Sequence, residues 1–282
     1  MNEEKHANLK ERAREIRLSI IRMLKEAKSG HPGGSLSCAD LLTVLYFDKM
    51  NIDPKNPTKV DRDRFVLSKG HAAPVLYATL AERGFFEKEA LLGLRKTGNK
   101  LQGHPDMRKV LGVDMSTGSL GLGFSSAVGM ALASKLDKAS WYTYALLGDG
   151  EMAEGQVWEA MMAAKHYKLD RFIAFLDKNG LQIDGACETV MDTSPLEEKC
   201  RAFGFDTVEI DGHDLVAISE AIDEAKANQN GKPKMIILKT IKGKGVSFME
   251  NKAAWHGSAP NDEQYRVAME ELEEEGRALC RN

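Results

Sequence analysis

A doubly wound, mainly parallel α/β sheet flanked by helices is the expected fold, as a single domain over residues 1–282. Three features lead there. Apolar and aromatic runs at 142–147 and 171–176 suit short buried strands. Between them Val157, Trp158, Met161, Met162, Ala164 and Tyr167 recur at roughly helical spacing. A helix joining two such strands is a βαβ unit, and right-handed crossover makes the strands parallel. Strand-like and helix-like segments also alternate along the whole chain.

The elements follow in order. Residues 3–28 form an amphipathic helix, with Leu9, Ala13, Ile16, Ile20, Met23, Leu24 and Ala27 on one face. Gly30 stops it, a loop runs through Ser35, and Ser37 or Ser35 caps a helix at 38–46. A short strand, 64–67, enters Ser68-Lys69-Gly70-His71 before a helix at 72–83. Glycines at 118, 121 and 123 open a helix at 124–136. After the βαβ unit come strands 207–210 and 235–240 with a helix over 215–227 between them. A loop rich in glycine and lysine, 241–256, precedes an acidic terminal helix at about 262–281.

Composition narrows the class. The 43% hydrophobic and 29% charged content is that of an ordinary globular protein, and the net charge of −3 argues against a general nucleic-acid binder. No apolar run reaches the roughly 18 residues that span a bilayer. The charged N-terminus lacks a signal-peptide core. Cys38, Cys187, Cys200 and Cys280 form no CxxC pair and suit reduced thiols, so a cytoplasmic enzyme is expected.

The strongest functional signal lies within the βαβ unit. Gly148-Asp149-Gly150 ends the first strand and Asp177-Lys178-Asn179-Gly180 ends the second. Asp149 and Asn179 therefore share the carboxyl edge of the sheet, where open α/β sheets bind ligands. With a nearby backbone carbonyl they form an oxygen-only set that favours Mg²⁺ or Ca²⁺ over zinc, completed by water and phosphate oxygens. Gly150 lets the backbone approach that phosphate. Gly-Asp-Gly or Asn-Gly alone is commonly just a turn, but their placement one helix apart favours a metal-anchored diphosphate site.

Other signals are weaker singly. Gly118–Gly123 resembles a dinucleotide fingerprint, but Ser126 stands where a third glycine or alanine belongs. These glycines either expose N–H groups to an anion or only allow close helix packing. His31, His71, His104 and His256 sit in loops flanked by glycine or proline, none at zinc-ligand spacing. Neutral imidazoles there can bond sugar hydroxyls or shuttle protons. Glu151, Glu154 and Glu159 are either dipole compensation or contacts at a subunit boundary. Residues 242–245 (Lys-Gly-Lys-Gly) are either a plain loop or a lid over a phosphorylated ligand. The acidic run 270–275 reads as a solvated face.

Together these residues resemble the N-terminal half of transketolase, almost end to end: Gly30-His31-Pro32-Gly33-Gly34, Ser68-Lys69-Gly70-His71, Gly103-His104-Pro105, Thr117-Gly118-Ser119-Leu120-Gly121, Gly148-Asp149-Gly150-Glu151, Asp177-Lys178-Asn179-Gly180 and Trp255-His256-Gly257. The Gly-Asp-Gly…Asn element is general to thiamine-diphosphate enzymes, whereas the ordered histidine loops are specific to this branch. The resemblance implies that Asp149, Asn179 and the Leu181 carbonyl hold Mg²⁺ (Ca²⁺ as a substitute) on the cofactor diphosphate. It implies cofactor contacts from His71, Gly118, Ser119, Leu120, Gly150, Asn179 and His256. His31, His104 and His256 would act on the sugar, and Glu154 and Glu159 would face the boundary between paired active sites. Ser119 and Leu122 depart from the family pattern, where proline and glutamine are common.

The resemblance further implies transfer of a two-carbon ketol unit between sugar phosphates, in carbohydrate metabolism such as the pentose phosphate pathway. The family's activating glutamate lies on a pyrimidine-binding domain beyond the matched half. A split enzyme is therefore expected, in which a separately encoded C-terminal subunit joins this chain in a heterotetramer of two of each. Rivals are a split ketol transferase for an unusual branched sugar phosphate, a deoxyxylulose-phosphate synthase-like condensation of pyruvate, a plain nucleotide-binding module and a non-catalytic regulatory subunit. The histidine set argues against pyruvate, and the intact metal pair against the last two.

Overall fold

The strands β1 (Arg64–Leu67), β2 (Thr143–Gly148), β3 (Phe172–Lys178), β6 (Asp206–Asp211) and β7 (Lys234–Lys239) form one sheet in the order β1-β2-β3-β7-β6 in the computed structural model, which describes residues 1–279. Every neighbouring pair is parallel. Both faces are covered, as parallel sheets require, and side chains sort between them with a period of two. Phe65, Leu67, Tyr144, Leu146, Ile173, Phe175, Ile236 and Leu238 face one core. This core also takes α1 (Glu3–Ala27), α3 (Ala39–Val44), α4 (Ala73–Arg83), α9 (Leu215–Ala227) and α10 (Asp262–Leu279). Val66, Ala145, Leu147, Phe172, Ala174, Leu176, Met235 and Ile237 face the other, against α5 (Leu122–Leu136), α6 (Gly155–His166) and α8 (Leu196–Ala202).

The register positions the site. Gly148, Asp177 and Leu238 lie side by side across β2, β3 and β7. The residues just beyond them (Asp149, Asn179 and the segment from Thr240 to Lys242) thus leave the sheet at one edge. After β3 the chain runs out to β6 at the sheet margin and returns inward through α9 to β7, so its winding direction reverses beside this edge. Open parallel sheets form their ligand crevice where the winding switches direction.

Several local expectations change. Pro32–Leu36, expected as loop, is a short helix, α2, with Pro32 in its first turn. Proline tolerates that place because its missing N–H would have no partner there. Neither Ser35 nor Ser37 caps α3: Cys38 stands at the cap, Ser35 donates to the His31 carbonyl, and Ser37 donates to Asp177 at 2.8 Å. A β-hairpin, β4 (Leu181–Gln182) with β5 (Gly185–Ala186), and the short α7 (Cys187–Val190) follow Asn179, and neither they nor α8 carried an amphipathic signal. Glu270, Glu273 and Glu274 are exposed as expected, but Glu271 accepts from Ser247. The side chain of Glu275, Cys280 and the last residues of the expected terminal helix lie outside the described part. No helix among the described residues is long and apolar enough to cross a membrane. Cys38, Cys187 and Cys200 are buried and free, and burial pushes each thiol up to about 12.

Candidate active site

A cavity of about 280 Å³ opens at the carboxyl edge, lined by His71, Gly118, Leu120, Asp149, Gly150, Asn179, Leu181 and His256 among the expected residues. Asp149 is 4% exposed. Its two oxygens accept the N–H groups of Gly150 at 2.8 Å and Gly180 at 2.6 Å, which tie the ends of β2 and β3 together. No lysine, arginine or histidine among the described residues pairs with it directly. Burial first, then the neighbouring Asp177, pushes its carboxyl up. Asn179 is held at both ends: its amide donates to Asp177 at 2.9 Å and its oxygen accepts from the Leu181 N–H at 3.1 Å.

Beneath lies an ion pair the sequence did not single out. Lys69, 2% exposed, donates to Asp177 at 2.6 Å and to the Gly34 carbonyl at 2.8 Å. Asp177 is fully buried and also accepts from Ser37, Asn179 and Thr240. Burial alone would raise Asp177, but Lys69 holds it down to about 2. Glu151 is a second surprise. It is 2% exposed rather than a helix-dipole residue, and accepts from the Ser68 hydroxyl and the N–H groups of Gly121 and Gly148. A buried acceptor thereby gathers three chain segments around the cavity.

That use of Glu151 divides the glycine loop by role. The Gly121 N–H is already taken, and Gly121 sits at φ +83°. A Cβ on Gly123 would lie 2.7 Å from the Ser68 backbone, so that glycine serves close packing. Gly118 and Leu120 remain at the cavity wall, whereas the Ser119 side chain is exposed and does not line it. Residues 242–245 are no free lid. Gly243 donates to the Gly33 carbonyl at 3.0 Å, and Lys244 faces Glu250. Lys242, 2% exposed, turns inward with Nζ 3.0 Å from both the Leu181 carbonyl and His256 Nδ1.

The four loop histidines converge here, His71 and His256 in the cavity wall and His31 and His104 next to them. Ring centroids are 5.3 Å apart for His31 and His71, 5.4 Å for His31 and His256, 5.0 Å for His71 and His256, and 6.5 Å for His31 and His104. No group of three His, Cys, Asp or Glu among the described residues is arranged to hold a metal. Burial lowers His31 and His256 to about 4, helped by Arg95 at His31 and by Lys242 at His256. His71 is lowered well below its usual value and His104 is lowered too, burial leading in each.

These imidazoles predict an acid-side instability. Their folded pKa values lie below the ordinary 6.5, so the unfolded chain binds more protons as pH falls from 6.5 towards about 4. Stability is then fully present above pH 6.5 and declines through that window. The urea midpoint should fall between pH 7 and pH 5, and H31Q with H256Q should flatten the decline. An unchanged slope in the double variant would refute this account.

The donor chemistry suits a cation with an anionic ligand. Three carboxylates (Asp149, Glu151, Asp177) and two ammonium groups (Lys69, Lys242) line the cavity, so an anion entering alone meets excess negative charge. Asp149, Asn179 and the Leu181 carbonyl offer hard oxygens of three kinds, and an ammonium already rests on that carbonyl. A parallel α/β sheet with a cavity of hard oxygens at its carboxyl edge marks the chain as a ligand-binding α/β protein of the open-sheet kind.

Comparison with known proteins narrows the class. Residues 9–275 match the family model described as "Transketolase, thiamine diphosphate binding domain", and the chain belongs to the transketolase family. It is 49% identical to the 6-deoxy-6-sulfo-D-fructose transketolase subunit SqwG of Clostridium sp. (strain MSTE9), covering 97% of this chain and 99% of that relative. It is 45% identical to one subunit of the apulose-4-phosphate transketolase of Phocaeicola vulgatus, covering 92% and 91%. The crystal structure of transketolase from Campylobacter jejuni superposes with a TM-score of 0.89 at 35% identity, over 97% of this chain. The chain spans 43% of that longer protein.

Proposed function

We propose that this chain is the cofactor-binding subunit of a two-component transketolase, moving a two-carbon ketol unit reversibly from a ketose phosphate to an aldose phosphate. Asp149, Asn179 and the Leu181 carbonyl would hold Mg²⁺ on the diphosphate of thiamine diphosphate, with Ca²⁺ as a possible substitute. Gly150 and the backbone of Gly118, Ser119 and Leu120 would line that diphosphate, with His71 and His256 beside it. Lys242 adds a positive charge at the same wall. When bound, the cofactor supplies the electron sink that breaks and remakes a carbon–carbon bond beside a carbonyl. The chain's own task is to orient, to exclude water and to handle protons. His31 and His256, kept neutral by partial burial, and the more exposed His104 can each accept or return a proton at a sugar oxygen.

One observation carries the reading: the cavity that holds Asp149, Asn179 and the Leu181 carbonyl is walled in part by His71 and His256, with His31 and then His104 next to them. A metal–diphosphate site alone would suit many enzymes, whereas histidines packed beside it suit a polyhydroxylated substrate.

A separate C-terminal subunit is proposed to complete the site, as two of each chain. Two relatives of nearly this length, matched over 99% and 91% of their own chains, are named as subunits. Glu154 and Glu159 are exposed around α6, as are Met162 on the same helix and Leu122, whose neighbour Gly121 approaches Glu154, which suits a contact surface there. Mixing decides the matter. This chain with a pyrimidine-binding transketolase half should transfer ketol units from xylulose 5-phosphate to ribose 5-phosphate, and neither chain alone should do so. 6-Deoxy-6-sulfo-D-fructose and apulose 4-phosphate belong in the same assay because the relatives' names specify them. Full activity from this chain alone, or consumption of pyruvate with glyceraldehyde 3-phosphate instead, would overturn the proposal.

A further inference from the structure

Lys242 is an unusual residue to find so well placed. It stands on a loop, it is 2% exposed, and no carboxylate pairs with it among the described residues. Ordering so long a side chain costs rotamer entropy, and its backbone is held on the C-terminal side, where the Lys242 carbonyl accepts from the Asn251 N–H at 2.9 Å and the Gly243 N–H donates to Gly33. On the cavity side Gly33 shapes its stem: a Cβ on Gly33 would lie 3.0 Å from Lys242 Cγ. On the far side, the Ile241 N–H donates to His213 Nε2 at 2.9 Å.

His213 is itself fixed from behind. Its Nδ1 lies 2.8 Å from Asp40, 173 residues away in sequence. Because Nε2 accepts the Ile241 N–H, the proton of the neutral ring sits on Nδ1 and is donated to Asp40. Asp40, 6% exposed, is in turn gripped by both arms of the Arg17 guanidinium, at 3.1 and 2.5 Å. Burial would raise Asp40, but Arg17 and His213 hold its carboxyl below the usual range. A guanidinium, a carboxylate and an imidazole therefore end in one hydrogen bond to the Thr240–Ile241 peptide, immediately before Lys242.

We propose that His213 is a positioning residue: with Asp40 and Arg17 it clamps the backbone at Ile241 and thereby aims the Lys242 ammonium at the diphosphate end of the cavity. The logic is that of outer partners that orient metal-binding histidines from behind, applied here to a lysine. The inference rests on the cofactor reading for its consequence, though not for its geometry.

Two measurements test it separately. In the chain alone, Lys242 should resist an amine-modifying reagent, as read by mass spectrometry of its peptide. In His213→Leu that protection should fall, while His213→Gln, which keeps one donor and one acceptor, should restore it. Urea midpoints identify variants that are simply unfolded; should His213→Leu not fold, His213→Asn is too short to reach both Asp40 and Ile241 and replaces it. Unchanged Lys242 protection in a folded variant overturns the clamp, whether or not the protein uses thiamine diphosphate.

In the assembled two-component enzyme, His213→Leu should weaken thiamine diphosphate binding with Mg²⁺ about ten- to a hundredfold, as removal of orienting partners does elsewhere, with kcat at saturating cofactor little changed. The loss should vanish in a Lys242→Met background, because a residue acting through Lys242 has nothing left to position. Full additivity of the two losses, or unchanged affinity despite exposed Lys242, overturns the role at the cofactor. Wild-type enzyme that binds no thiamine diphosphate defeats the functional proposal instead, and the labelling result still decides the clamp.

Discussion

Asp149→Asn is expected to lower the affinity of the assembled enzyme for thiamine diphosphate with Mg²⁺ by about 100-fold or more, and activity at moderate cofactor with it. Loss of an orienting partner behind a metal ligand already costs about 10–100-fold, and here the proposed ligand itself loses its charge. The amide keeps the shape of the carboxylate and leaves an oxygen for one of the two backbone N–H groups of Gly150 and Gly180. Folding is thus affected less than binding. Burial and the nearby Asp177 disfavour the ionised Asp149 carboxyl in the absence of a cation. Removing the charge therefore relieves the apo chain while it weakens the complex. Isothermal titration with the cofactor, beside urea unfolding of the chain alone, separates the two effects. Wild-type affinity in the variant would exclude Asp149 as a metal ligand.

Lys69→Met carries the largest expected effect on stability. It leaves Asp177, fully buried, without its one ion-pair partner among the described residues and deprives the Gly34 carbonyl of a donor. Breaking a buried pair by removing one partner typically costs about 3–5 kcal/mol, mostly from the stranded charge. Ser37, Asn179 and Thr240 still donate to Asp177, which favours the lower end of that range. Lys69→Met with Asp177→Asn should recover part of the loss, since no charge is then left unpaired. The urea midpoint is the measurement, and additive losses in the double variant would refute the pairing argument. Asp177→Asn should also weaken cofactor binding, because Asn179 donates its amide to that carboxylate.

Much of the fold was legible because its signals are local. Parallel strands buried on both faces are continuous apolar runs, and 142–147 and 171–176 lie within a residue or two of β2 and β3. The hairpin after Asn179 and α8 were missed because they are short, and neither a two-residue strand nor a two-turn helix establishes a period. Gly123 and Gly121 were indistinguishable in sequence, although one meets the Ser68 backbone and the other gives its N–H to Glu151.

That Asp149 and Asn179 share one edge follows from the order of residues alone. A single right-handed βαβ unit leaves no other arrangement, and chain geometry requires nothing from the rest of the molecule. The residue order also flagged the four histidines through their glycine- and proline-flanked loops. Long-range packing alone brings residues as distant as His31 and His256 to 5.4 Å, sets Lys69 under Asp177, makes Glu151 an interior acceptor, and turns Lys242 inward in front of His213. The reason is physical. A charged or imidazole side chain carries no periodic mark of its partner, and whether it is solvated or buried and paired depends on contacts made across 14 to 225 positions of chain.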